Sequence, residues 1–259
     1  MEEFHINYAP ICQRYAKEQV SGTLYLAFRD VPQLIHRYMK HPQGQKIKAL
    51  DFGCGTGVSA RYLKTLGGLF EQGIDVEGVD INQEMLRLAI EEDPHSIYHR
   101  MQEHKIPVPD GTYDLVFSTF VLFEFATKEK MQRALEEVKR VMKPGALFIA
   151  ATGSAESYDR SNQWVSLNVD FPQNDQLKSG DLGRVDFILG EERLTFQNYY
   201  WKENDYLEVF RKAGLICHQT HRPLGYIEEE NALTWRWKNE TSVSPYYVFV
   251  LVRATNERT

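Results

Sequence analysis

Cysteine is scarce in this chain and never paired along it: Cys12, Cys54 and Cys217 are odd in number and far apart. That leaves no basis for a disulfide framework or a Cys-x-x-Cys site, and it fits a reducing compartment. No apolar run approaches the roughly 20 residues that cross a bilayer, and Met1–Tyr25 lacks the basic-then-apolar pattern of a secretory signal. An excess of positive charge is missing as well, with 30 Lys and Arg against 36 Asp and Glu and a formal charge of -6. The electrostatic footprint of a nucleic-acid binder is therefore absent. Also absent are the Lys-Ser/Thr ending of a P-loop and the Gly-x-Ser-x-Gly elbow of a serine hydrolase. His95 and His99 sit beside Pro94 in what reads as a strand entry, and no cysteine or carboxylate completes a zinc set with them, so no metal is expected. The expectation is a cytoplasmic protein with a small-molecule partner and neither a nucleic-acid nor a membrane partner.

What the chain does have is organised around Lys48–Gly57, KALDFGCGTG. An apolar run ending in an acid and opening into Gly53, Gly55 and Gly57 reads as a buried strand turning sharply into a helix. The glycines reach backbone angles closed to other residues and let a ligand lie against the main chain. Thr56–Phe70 then places Val58, Tyr62, Leu66 and Leu69 or Phe70 on one helical face. A dinucleotide fingerprint would need glycine where Val58 stands, which weakens a pyrophosphate reading. A second short strand, Gly73–Asn82, ends at Asp80, where a carboxylate can accept both hydroxyls of a ribose. Asn82 reads as the cap of a helix over Gln83–Glu92 with Met85, Leu88 and Ala89 on one face.

The pattern Asp-x-Gly-x-Gly-x-Gly resembles motif I of the class I S-adenosylmethionine (SAM) methyltransferases, and GVDINQEMLRLA is similar to their motif II. Tyr113–Val116 matches their aromatic-Asp-x-Val strand entry, and VMKPGALFIAAT their helix-to-strand junction. The resemblance implies an α/β fold: a Rossmann-like seven-stranded methyltransferase sheet with helices on both faces, an N-terminal helical segment and a β-hairpin cap insertion. It implies SAM as cofactor, with S-adenosylhomocysteine as product, and one domain divided into an N-terminal helical lid (1–45), a SAM-binding core (46–152), a substrate cap (153–201) and a closing helix and strands (202–259). Carried onto matching positions, the cofactor residues are Asp51, Gly53, Gly55, Gly57, Asp80, Ile81, Met85, Gln102, Glu103, Ser118 and Thr119, with Phe120 beside them. Tyr15, Tyr25 and Arg29 are candidates from the lid. Gln102 departs from the acidic residue usual at the adenine, and its carbonyl can still accept from the exocyclic amine.

Beyond the core, Thr127–Met142 reads as a helix, Lys143–Pro144–Gly145 as its break, and Ala146–Thr152 as a buried strand. Arg184–Ile188 and Arg193–Trp201 alternate about Gly190 as a hairpin, Lys202–Ala213 as a helix, and Leu215–Thr220 with Tyr246–Arg253 as the last strands. Phe123, Glu124, Tyr199, Tyr200 and Trp201 are the expected substrate pocket, although three consecutive aromatics cannot all face inward on a strand. Glu124, His218 and His221 are the candidates for a base. The function implied is methyl transfer to a small-molecule nitrogen or oxygen, the hairpin and tail being similar to toxoflavin-type N-methyltransferases. The alternatives are an inactive SAM-binding regulatory protein, for which Gln102 is a hint, and a nucleotide-dependent oxidoreductase.

Overall fold

The computed structural model describes residues 20–40, 44–102, 105–170, 173–189 and 191–254. Its main sheet has seven strands in the order β3-β2-β1-β4-β5-β10-β9. These are β1 (Ile47–Phe52), β2 (Ile74–Asp80), β3 (Ile97–Arg100), β4 (Tyr113–Thr119), β5 (Met142–Gly153), β9 (Leu215–His221) and β10 (Tyr246–Arg253). The first five run parallel, and β10 pairs antiparallel with both β5 and β9. The order reverses between β1 and β4, so the loop leaving β1 opens at the switch point where open α/β sheets bind ligands. A second, three-stranded antiparallel sheet joins β6 (Leu167–Val169) to the hairpin β7 (Leu182–Leu189) and β8 (Glu192–Tyr199).

Helices cover both faces of the main sheet because its strands are apolar on both sides. In β10, Val248 and Val250 face one core with helices α2 (Val31–Tyr38) and α3 (Val58–Thr65), which follow the short turn α1 (Leu26–Arg29). Phe249 and Leu251 face the other core with α5 (Lys128–Val141) and α6 (Glu203–Ala213). Helix α4 (Gln83–Glu92) is capped as the sequence predicts, the Asn82 side chain accepting from the N–H groups of Glu84 and Met85. Helix α6 ends at Gly214 in the left-handed conformation, φ 75°.

Two expectations change. Helix α3 stops at Thr65 and tightens into a turn over Leu66–Leu69, because Gly67 and Gly68 favour helix poorly. Its buried stripe is Ser59, Ala60 and Leu63, while Leu69 is 42% exposed. Lys143–Pro144–Gly145 does not separate helix from strand: β5 already begins at Met142, opposite Tyr113, and the ladder resumes at Leu115 opposite Leu147. The extra residues form a bulge in which Gly145 takes φ 76°.

Candidate active site

The loop after β1 is built on positive φ: 73° at Gly53, 50° at Gly55 and 80° at Gly57. At Gly53 the requirement is also one of space, since a Cβ would lie 2.2 Å from Val121 Cγ2. At Gly55 a Cβ would meet nothing within 4 Å, so the main chain there borders open space. The N–H groups of Gly53 and Cys54 donate to the Val79 carbonyl, tying the loop to β2.

Two carboxylates flank the loop. Asp51 is fully buried, and its Oδ2 accepts from Ser59 Oγ at 2.6 Å. Burial, against the Ser59 bond and with a smaller push from the neighbouring Asp80, raises its pKa to about 7. Asp80 ends β2, where Oδ2 accepts from the Gly55 N–H at 2.8 Å and Oδ1 from the Asn82 N–H at 2.7 Å. Burial raises its pKa too, opposed by those backbone donors. The Ile81 N–H also lowers it, and a carboxylate's roughly four acceptor sites keep some capacity beyond these backbone donors.

A cavity of about 860 Å³ opens from this loop. Such a volume lies toward the upper end of the roughly 300–1,000 Å³ usual for small-molecule sites. Gly53, Gly55, Asp80, Ile81, Met85 and Thr119 line it, as do Phe120, Phe123, Glu124 and Tyr199. Glu124 sits on a single turn, Leu122–Glu124, that follows Val121 against Gly53. Its Oε1 accepts from Asn198 Nδ2 on β8 at 3.1 Å, so the three-stranded sheet closes directly onto the residues that follow β4.

Other expected residues are placed elsewhere. Asp51 and Gly57 lie behind the cavity wall rather than in it. Ser118 is buried, donating to the Phe52 carbonyl across β1 and β4. Gln102 is exposed and bridges Lys105 through the backbone, while Met101 supplies the wall at that corner. Arg29 turns to Asp30, Glu229 and the Leu224 carbonyl, and Tyr25 packs on Trp235 and Trp237, both outside the lining. Of the three consecutive aromatics, Tyr199 reaches the cavity, Tyr200 lies edge-on to Tyr158, and Trp201 is buried with Nε1 donating to the Phe125 carbonyl. His221 pairs with Asp30 at 2.7 Å and His218 packs by Tyr38, so neither lines the cavity. Tyr15 and Glu103 lie outside the described residues. Sequence reasoning passed over Phe187, Phe196 and Asn198, which the hairpin brings to the wall. Alternation was the available signal, since Phe196 and Asn198 share a face at period two.

The end of this strand, the glycine loop, the helix and the acid-ended second strand lie within the stretch that comparison with known proteins matches. Residues 50–150 match the family model described as a methyltransferase domain. Over that stretch, 101 of 259 residues, the chain is thus similar to a methyltransferase domain, and S-adenosylmethionine is the cofactor named for the solved structures it resembles.

Among relatives, N-demethylindolmycin N-methyltransferase of Streptomyces griseus is 26% identical over 64% of this chain and 68% of its own length. Arginine-hydroxylase NDUFAF5, mitochondrial, of Rattus norvegicus is 34% identical over 40% of this chain and only 28% of its own. A malonyl-[acyl-carrier protein] O-methyltransferase of Pectobacterium atrosepticum is 28% identical over 49% of this chain and 47% of its own. The chain therefore spans between about a quarter and two thirds of the length of these relatives. A SAM-dependent methyltransferase structure from Clostridium acetobutylicum superposes with a TM-score of 0.59 at 13% identity, covering 95% of this chain and 96% of that one. One from Aquifex aeolicus gives 0.56 at 18%, covering 95% and 98%. Both establish the fold.

The residues present fit this cofactor. Asp51 Oδ1 and Thr56 Oγ1 are buried without a hydrogen-bond partner. Of the two, Thr56 lines the cavity beside a main chain open at Gly55, so its hydroxyl is a polar atom a donor-rich ligand would satisfy.

Proposed function

We propose that the chain transfers the methyl group of SAM to a nitrogen or oxygen of a small molecule. The observation that carries this reading is the continuity of one cavity from Asp80 and the glycine loop to the aromatic rings of the β7–β8 hairpin. When bound, SAM supplies a methyl carbon already activated by its sulfonium charge. The protein's task is then to align and to exclude water.

In this reading the loop from Gly53 to Gly57 carries the amino-acid part of the cofactor, with Asp51 and Thr56 beneath it. Asp80 takes the ribose hydroxyls on its remaining lone pairs, and Ile81, Met85 and Met101 flank the adenine. Ile81 supports this role by being 57% exposed at the cavity, an apolar side chain with nothing on one face. The hairpin acts as the cap, and Phe123, Glu124 and Tyr199 stand on the acceptor side. The N-methyltransferase relative and the likeness to toxoflavin-type enzymes support a nitrogen acceptor, while the O-methyltransferase relative keeps oxygen in the class. Among the described residues no helix is long and apolar enough to cross a membrane. Free Cys54 and Cys217 support a cytoplasmic setting.

Calorimetric titration with SAM, S-adenosylhomocysteine, NAD and NADH tests the reading. Micromolar binding of the first pair alone is expected, and binding of only the nicotinamide pair would overturn it.

A further inference from the structure

Resting on that reading, the geometry points to a flat aromatic amine as the methyl acceptor, seated among the rings of the chamber with its nitrogen at Glu124. Away from the glycine loop, the walls are supplied by rings from separate elements: Phe28, Phe120, Phe123, Phe187, Phe196 and Tyr246. Phe120 and Phe123 stack at 6.1 Å and 20°, while Phe187 and Phe196 meet edge to face at 5.1 Å and 83°. Phe120 holds φ 61°, an uncommon conformation for a bulky side chain, with its N–H donating to the Ala151 carbonyl at 2.8 Å. Such local strain persists only where surrounding structure imposes it, and here it accompanies a ring at the cavity wall. Flat, offset and edge-on ring surfaces select an aromatic guest over a branched aliphatic one.

Charge decides the functional group. Glu124 lines this chamber, its Oε1 accepting from Asn198 Nδ2. Lys130 is the one cation among the described lining residues, against Glu124 and Asp80. Carboxylates and phosphates ask for more positive charge than that. An amine meets both a carboxylate acceptor and π faces that attract its cationic form. Before the transfer, the bound ammonium gives one proton to the Glu124 carboxylate. The freed nitrogen lone pair forms the new N–C bond, the C–S pair stays on sulfur as a thioether, and the product leaves as the methylated ammonium.

The test begins with S-adenosylhomocysteine affinity, then measures methylation from labelled SAM with phenethylamine and tryptamine against phenylacetate, indole-3-acetate and butylamine. The two aromatic amines are expected to be methylated and the others not. Glu124→Gln is expected to lower kcat/KM for the amines by about 10- to 100-fold, the loss of one charge-assisted contact. S-adenosylhomocysteine affinity in that variant stays within about two-fold of the parent. Tight S-adenosylhomocysteine binding without methylation of either aromatic amine overturns the acceptor class. So does comparable methylation of the acids, or an unaltered kcat/KM in the variant. Failure of S-adenosylhomocysteine to bind overturns the methyl-transfer reading itself, and the acceptor class with it.

Discussion

Asp51 and Asp80 end neighbouring parallel strands, and burial raises both pKa values, yet they differ in what they can reach. Asp80 borders the cavity with backbone donors on both oxygens, and the carboxylate keeps acceptor capacity for a ligand hydroxyl. Asp80→Ala is therefore expected to weaken SAM binding by about 1 to 3 kcal/mol through lost charge-assisted hydrogen bonds. Calorimetry reads this directly, and unchanged affinity removes Asp80 from the site. Asp51 instead lies behind the wall with Oδ1 unsatisfied. Its folded pKa of about 7 stands above the ordinary value of 3.8, so between those limits the native state holds a proton that the unfolded chain has released. Its contribution to stability is present below pH 4 and is lost as pH rises toward 7. In the ligand-free protein, Asp51→Asn should gain stability relative to the parent as pH rises from about 4 to 7. Urea unfolding of both proteins across that range measures the difference, and a constant difference contradicts it. Both acids could be picked out in the sequence from their place before and after the glycine loop. Exposed Gln102 could not be placed, because a one-residue difference in where a chain turns decides whether Met101 or Gln102 lines the cavity.

Among the elements, strand–loop–helix, the capped α4, the hairpin and α6 were legible because each is written in local chemistry: glycine spacing, an Asx cap, period-two alternation, a left-handed stop. The clasp that holds the cap was not legible, since it joins three stretches far apart in the chain. Glu240 is fully buried. Its Oε1 accepts from Thr23 Oγ1 at 2.8 Å and the Val165 N–H at 2.7 Å, and its Oε2 from the Lys238 N–H at 2.9 Å. Thr23 in turn accepts from the Ser166 N–H, and from this knot Leu24 and Leu167 reach the cavity wall. A carboxylate offers enough acceptor sites for three donors at once, which no apolar residue does. Glu240→Ala leaves those donors buried without partners, and a loss of about 2 to 4 kcal/mol in urea unfolding is expected. Glu240→Gln keeps the acceptor at one oxygen and should lose less. Equal losses for the two would locate the effect in packing instead.

For the molecule as a whole, two apolar cores sandwich one sheet, and the cavity opens at the ends of the parallel strands, bounded by the cap. That layering follows from strands that are apolar on both faces, and motif order made it readable. The aromatic walls of the cavity were harder to read, because Phe28, Phe120, Phe196 and Tyr246 come from four stretches whose meeting depends on tertiary packing. The same arrangement has a thermodynamic consequence. The Thr56 hydroxyl lines the cavity without a partner, and burial raises the pKa of Asp80 beside it, so a ligand that contacts both would offset part of their cost. A ligand that binds only the native state, at about 100 times its Kd, adds about 2.7 kcal/mol. For a chain of this size S-adenosylhomocysteine should therefore raise Tm by about 5 to 10 °C, with NADH at equal concentration leaving it in place. Asp80→Ala should shrink the shift in proportion to its lost affinity. A full shift in that variant would mean the ligand is held somewhere other than the end of β2.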